Sequence, residues 1–166
     1  MEQRATIHID KESHKFSVAH FTVFSATERE RLHGHNFSVS ARLVASVDDN
    51  GLTLDYNVYK DHIRRLCDRL DEYTLIPEQS PHLNIEDDGE NWRVRHDQDT
   101  LVFLKADTLL IPVANTTVEA LSRFLLDTLV RDSGLVESGD VHEIEVFVSS
   151  GPGQAGSSTW RPGDTR

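Results

Sequence analysis

Only one cysteine, Cys67, occurs in the 166 residues, so an internal disulfide is excluded and a reducing compartment such as the cytoplasm is predicted. No apolar run approaches the roughly 20 residues of a membrane-spanning helix, and the N-terminus does not resemble a signal peptide. Lysine and arginine number 17 against 28 acidic residues. The resulting formal charge of −11 argues against nucleic acid as a partner, because phosphates require clustered basic side chains.

The apolar fraction is modest at 37%, and charged residues make up 27% of the chain. This balance predicts one small domain that exposes much of its surface or completes its core by oligomerising. We assign residues 1–150 to that domain, with an insertion at about 80–105. Residues 151–166 are rich in Gly, Ser and Pro and are expected to form a disordered tail, although Trp160 could dock onto the domain.

Hydrophobic periodicity predicts an α+β fold. Alternating residues indicate strands, and spacings of three and four indicate two amphipathic helices, the second opened by a capping-box pattern. The predicted elements are a hairpin of Thr6–Asp10 and Lys15–Phe24 joined by 11–14, a strand Gly34–Val47, a helix Val58–Asp71 capped by Asp55 or Asn57, three short strands (His82–Ile85, Trp92–His96, Thr100–Leu104), a helix opened by Thr116–Glu119, and a strand Val141–Ser149.

Three of the nine histidines lie close together in the chain, His20 before and His33 and His35 after a charged connection. Residues two apart on a strand project to the same face, so His33 and His35 point the same way. If the strands pair around a turn near Thr27–Glu28, His20 falls roughly opposite His35. A lone His-x-His pair is more often solvated, but three converging imidazoles with an open fourth position predict a catalytic zinc site.

Five motifs carry a family resemblance. They are Phe16-Ser-Val-Ala-His20, Leu32-His-Gly-His-Asn36, Leu52-Thr-Leu-Asp55-Tyr, Leu70-Asp71 and Asn115-Thr-Thr-Val-Glu119. In this order they resemble the 6-pyruvoyltetrahydropterin synthase / 6-carboxytetrahydropterin synthase family. The resemblance implies a T-fold: a four-stranded antiparallel sheet with two helices on one face, assembled into a barrel-shaped homo-oligomer, often a hexamer. It also implies Zn²⁺ on His20, His33 and His35, active sites between subunits, and a dihydroneopterin-type pterin substrate from which triphosphate is expelled.

Two departures from the family pattern concern the proton-transfer residues. Arg29 stands where many members have a catalytic cysteine, whereas Glu30 matches the glutamate of a subgroup that cleaves the dihydroneopterin side chain. Glu30 is therefore our candidate base, provided burial raises its pKa; a solvated charge run is an equally good reading. Asp71 and Glu72 occupy the family's Asp-His relay position and are further catalytic candidates, although a helix end also explains them.

A third departure concerns the pterin ring. Ser149 replaces the glutamate that holds the pterin amino group in the family, and a hydroxyl is a weaker partner for that edge. Thr116 and Thr117 remain as candidates for substrate binding, although helix capping alone accounts for them.

Two functions therefore compete. The first is a zinc-dependent, 6-pyruvoyltetrahydropterin synthase-like lyase with noncanonical catalytic residues. The second is an altered T-fold homologue that binds a pterin-like or other small ligand without the family reaction.

Overall fold

A six-stranded sheet frames the protein in a computed structural model, which describes residues 3–132, 134, 136 and 140–164. The elements are β1 (Arg4–His20), β2 (His33–Ser46), α1 (Tyr56–Leu70), β3 (Tyr73–Pro77), β4 (Asn84–Asp88), β5 (Asn91–His96), β6 (Asp99–Leu104), β7 (Thr108–Ile111), α2 (Val118–Asp132), β8 (Val141–Gly151) and β9 (Gln154–Trp160). None of the helices in these ranges is long and apolar enough to cross a membrane.

The large sheet has the strand order β7-β3-β1-β2-β8-β9. Strands β1, β2, β8 and β9 form a four-stranded antiparallel unit, as the family resemblance implied, although β9 lies in the segment that was expected to be disordered. Two parallel strands extend it, since β3 pairs with β1 and β7 pairs with β3. The α+β class is confirmed, and the sheet is wider than expected.

The predicted N-terminal hairpin is wrong, because β1 is one continuous strand of 17 residues. Its register on β2 passes from Asp10 opposite Ser40 to Lys15 opposite Ser38. Residues 11–14 therefore form a bulge opposite a single residue of β2 and do not reverse the chain. Both halves of β1 pair with β2, so the ladder between these two strands continues as far as His20 and His33.

Both helices pack on one face of the large sheet. Asp55 caps α1 by accepting a hydrogen bond from the Asn57 N–H at 3.0 Å. The apolar stripe of α1 includes Cys67, which is 0% exposed and has its pKa raised to about 12 by burial. Cys67 is thus a core residue, as predicted.

The last strand corrects the expectation of a disordered tail, since β9 pairs with β8 and Trp160 is buried. One glycine makes this possible. Gly156 lies against the first turn of α2, where an added Cβ would be 2.9 Å from the Val118 carbonyl carbon and from the Glu119 nitrogen. Gly156 therefore permits β9 to pack closely on α2, although the glycine-rich composition of this segment suggested disorder.

The insertion forms a separate three-stranded antiparallel sheet, β4-β5-β6, close to its predicted strands. It has a small core of its own, built around Phe21, Val23, Ile76 and Val94. Phe21 and Val23 belong to the segment that leaves β1, so this second core lies directly behind the connection between the histidines.

Candidate metal centre and active site

Three histidines converge where β1 ends and β2 begins. His20 pairs with His33 across the ladder, and His35 lies opposite Val18. The sequence predicted His20 opposite His35, so the register is shifted by two residues. The convergence is nevertheless present, because the shift is even and keeps all three side chains on one face. Their nearest ring nitrogens all lie within 4.8 Å of one another.

A main-chain carbonyl fixes the tautomer of each imidazole. His20 Nδ1 lies 3.1 Å from the Thr116 carbonyl oxygen, His33 Nδ1 lies 2.8 Å from that of Arg31, and His35 Nε2 lies 2.7 Å from that of Ser150. A carbonyl oxygen can only accept, so each of these nitrogens carries the hydrogen. In the neutral rings the lone pairs are therefore on His20 Nε2, His33 Nε2 and His35 Nδ1.

These lone pairs suit a cation. His20 Nε2 and His35 Nδ1 face each other at 3.3 Å, and neither carries a hydrogen in these tautomers. Two opposed lone pairs repel unless a positive centre lies between them. Ligand nitrogens about 2.05 Å from a tetrahedral zinc are about 3.3 Å apart, which matches the observed separation. Donor chemistry and spacing therefore both fit Zn²⁺.

The surroundings keep His20 uncharged at neutral pH. Its side chain is 4% exposed, and burial, followed by the neighbouring imidazoles of His33 and His35, lowers its pKa to about 4. Phe37 packs against the site, with its ring stacked on His35 at a centroid distance of 4.9 Å. An unprotonated, buried imidazole is ready to bind metal without first losing a proton.

Asn115 supports this arrangement, a role that we did not predict from the sequence. Its side chain accepts from the Val23 N–H and donates to the Val23 carbonyl, at 3.1 and 2.7 Å. It also accepts from the Thr116 N–H at 3.0 Å, which ties the end of β1 to the start of α2. An amide residue directly before the two threonines was the available signal, because asparagine readily bonds to nearby main chain.

Glu30 lies half-buried on the connection between the histidines. Its carboxylate accepts from the Thr22 N–H at 2.9 Å, and its own N–H donates to the Thr22 carbonyl at 2.8 Å. Burial alone would raise the pKa of Glu30, but the hydrogen bonds from Thr22 and the nearby imidazoles of His33 and His20 hold it below its ordinary value. The expectation that burial raises the pKa of Glu30 above its ordinary value is therefore wrong. Glu30 is an ionised carboxylate beside the histidines.

Asp71 and Glu72 lie between α1 and β3. Asp71 ends α1 and accepts from the Ser17 N–H at 2.7 Å. Glu72 is exposed and lines a depression of about 500 Å³ together with Ser17, Asn36 and His35. Of the three histidines only His35 borders this depression, and the Ser17 and Asn36 side chains point away from the face that carries His20.

The hydroxyls of the three candidate substrate-binding residues all form hydrogen bonds within the protein, but with different partners. Thr116 is fully buried and its hydroxyl donates to the Phe21 carbonyl at 2.9 Å. Thr117, not Thr116, caps α2, with its hydroxyl accepting from the Ala120 N–H at 3.3 Å. The Ser149 hydroxyl lies 2.6 and 2.7 Å from two carbonyls in the β8–β9 hairpin. Thr116 thus supports His20, and Ser149 stabilises a turn.

Comparison with known proteins gives one family match. The family model described as 6-pyruvoyl tetrahydropterin synthase matches residues 8–155. A Methanocaldococcus jannaschii protein named "Putative 6-carboxy-5,6,7,8-tetrahydropterin synthase" is 24% identical over 141 residues, which are 84% of this chain and 86% of that protein.

Some solved structures with the same fold are more than 25% identical to this chain. The 6-pyruvoyl tetrahydropterin synthase of Plasmodium vivax has a TM-score of 0.90 and 29% identity, covering 96% of this chain and 99% of its own. The Plasmodium falciparum protein of that name has a TM-score of 0.89 and 27% identity, covering 95% and 98%. A Plasmodium vivax variant in which a glutamate described as a catalytic residue is replaced by alanine scores 0.90 at 28% identity, covering 96% and 99%.

Proposed function

Because the chain belongs to the 6-pyruvoyl tetrahydropterin synthase family, we propose that it is a zinc-dependent lyase acting on a dihydroneopterin-type pterin. The observation that carries this proposal is the set of lone pairs on His20, His33 and His35, two of them opposed at 3.3 Å. Zn²⁺ held by three imidazoles supplies a Lewis-acid position for a substrate oxygen. We further propose that the protein works in the cytoplasm, where its buried thiol stays reduced.

Glu30 is the proposed general base. The carboxylate is ionised at neutral pH and can accept a proton from the substrate side chain, and its lowered pKa makes it a mild base. A glutamate described as catalytic in the similar Plasmodium vivax enzyme supports this assignment. Arg29, at the position of the family's cysteine, has no nucleophile to offer, so the proton transfer falls to Glu30.

Asp71 and Glu72 fit the proposal if the working protein is a homo-oligomer, a hexamer by family resemblance. Glu72 shares a depression with His35 but not with His20 or His33 of its own subunit, and the Asp71 carboxylate accepts from the Ser17 N–H, so we assign both residues to the active site of a neighbouring copy. A complementation experiment tests this assignment. Mixed assemblies of Glu30→Gln and Glu72→Gln subunits should regain activity that neither variant has alone, whereas additive inactivity would place each site within one subunit.

Substrate binding is proposed at the start of α2 and the end of β8. The half-buried Thr117 and the main chain around Thr116 border the site and can contact the pterin ring. Ser149 is the weakest of the three candidates because its hydroxyl bonds to the hairpin main chain. We therefore expect the pterin amino edge to be held less tightly than by a carboxylate.

The proposal is tested by measuring the zinc content of the purified protein and incubating it with dihydroneopterin triphosphate. Stoichiometric zinc and a mass change in the pterin side chain are expected. In a Glu30→Gln variant, turnover should fall roughly 10²- to 10⁴-fold with unchanged zinc content. An unaffected rate would remove Glu30 from the mechanism.

A binding function without the family reaction is the second candidate, and the engaged Ser149 hydroxyl is the observation that favours it. Pterin binding by calorimetry, with the substrate recovered unchanged, would select this function over the lyase.

A further inference from the structure

The turn between β5 and β6 holds the connection that carries Glu30 at two points. His96, at the end of β5, is 2% exposed and donates from Nε2 to the Ser25 carbonyl at 2.8 Å. Asp99, at the start of β6, accepts from an Arg29 terminal nitrogen at 2.7 Å. Ser25 and Arg29 bracket a tight turn, so both ends of this turn are attached to the insertion sheet.

Arg29 transmits this attachment to Glu30. One terminal nitrogen binds Asp99, and the other donates to the Glu30 carbonyl at 3.0 Å. The guanidinium also lies over the Phe21 ring, 5.6 Å from its centroid, and only 16% of the side chain is exposed. Arg29 is therefore engaged within the protein and is not presented to a substrate phosphate.

The position of the Glu30 carboxylate depends on this main chain. Glu30 bonds to Thr22 through both its N–H and its carboxylate, so its side chain follows any movement of residues 22–30. On the other side of that pair, Phe21 and Val23 are buried against Val94 of the insertion. The insertion sheet thus contacts both chain segments that present Glu30, the one around Val23 and the one around Arg29.

We propose that Arg29, Asp99 and His96 form a loop clamp that positions Glu30 beside the histidines. This inference rests on the proposed role of Glu30 as the base. The insertion then supports the chain segment that carries Glu30. Arg29 and Asp99 are positioning residues that act through Glu30.

Asp99→Asn is the main test, because Asp99 is 66% exposed and its loss leaves the cores intact. We expect kcat to fall roughly tenfold, as a small misplacement of a catalytic group does, with KM and zinc content unchanged. The matched control is Asp88→Asn, which removes an equal charge and breaks the 2.6 Å ion pair with Arg93 on the same sheet. That control should retain the activity of the unaltered protein.

The background of Glu30→Gln separates positioning from a general loss of structure. There, Asp99→Asn should lower the residual kcat no further, because the group it positions is already disabled. A tenfold fall that persists in this background, an equal fall in the control, or no fall at all would each overturn the inference.

A readout without substrate tests the clamp independently. Hydrogen exchange of the Phe24 and Glu30 amides, which donate to Glu28 and Thr22 carbonyls, should accelerate in the zinc-free Asp99→Asn protein and not in the control. Unchanged exchange would refute the clamp even in an active enzyme. Accelerated exchange in a protein that never converts the pterin would support the clamp and refute the proposed reaction.

Discussion

Replacing Gly156 by alanine tests whether β9 holds the first turn of α2 in place. The new Cβ would be 2.9 Å from the Val118 carbonyl carbon and from the Glu119 nitrogen. Both are main-chain atoms and cannot rotate aside, so strand and helix must separate by a few tenths of an ångström. Overpacking of this kind costs about 1–3 kcal/mol of the free energy of unfolding. For a domain of this size, Tm should fall by roughly 2–12 °C.

The same displacement should reach the histidines. Val118 follows directly after Thr116 and Thr117, and the Thr116 carbonyl holds His20 Nδ1. Disturbing a bond that orients a metal ligand typically weakens metal binding 10- to 100-fold, so we expect zinc affinity to fall by roughly tenfold.

Thermal unfolding of the zinc-free protein and a competition assay with a zinc chelator measure the two effects. Gly151→Ala is the control, because an added Cβ there has nothing within 4 Å and the residue lies in the same hairpin. If Gly156→Ala melted within about 1 °C of the control and bound zinc equally well, the close packing of β9 on α2 would be refuted.

Three further predictions concern single side chains. His33→Ala removes one of the three proposed ligands and should weaken zinc binding more than roughly 100-fold, which is the upper range for loss of a hydrogen bond that supports a ligand. The control His82→Ala, at an exposed histidine, should leave zinc binding unchanged. Full zinc occupancy in His33→Ala would contradict the metal site. The zinc-free protein should lose stability as the pH falls from 6.5 towards 4, because the unfolded state binds a proton at His20 more readily than the folded state. The difference between the ordinary pKa of 6.5 and about 4 corresponds to about 3 kcal/mol, and urea unfolding at several pH values would show no such loss if His20 were ordinary. The Cys67 thiol should resist a disulfide reagent until the protein unfolds, since it is 0% exposed with a pKa raised to about 12, and rapid labelling of the folded chain would show that this core is open.

Periodicity predicted most of the fold and the face on which the histidines lie. The alternation of side chains along a strand determines which face of the sheet each side chain lies on, whichever residue it pairs with. The three histidines were therefore predicted to lie on one face, despite a two-residue error in the residue opposite His20. The helix α1 was found for a similar reason, because Asp55 and the apolar stripe are local signals.

Errors arose where distant contacts decide the outcome. Residues 11–14 are polar enough for a turn, yet β2 is long enough to pair on both sides of them, so they bulge. Gly156 lies in a glycine-rich segment whose composition predicts flexibility, and only the fold shows that this glycine packs against the first turn of α2. The pKa of Glu30 depends on Thr22 and two imidazoles that converge only in the fold. The carbonyl of Ser150 that fixes the His35 tautomer is 115 positions away in the chain, beyond any local pattern.

The presence of two separate cores has an evolutionary consequence. His20, His33 and His35 are carried by strands of the large sheet, whereas the chain segment bearing Glu30 rests on the small core around Val94. Substitutions in the insertion can therefore move Glu30 while the three imidazoles keep their geometry. A fold built in this way can change the side chain beside the histidines without disturbing the histidines themselves.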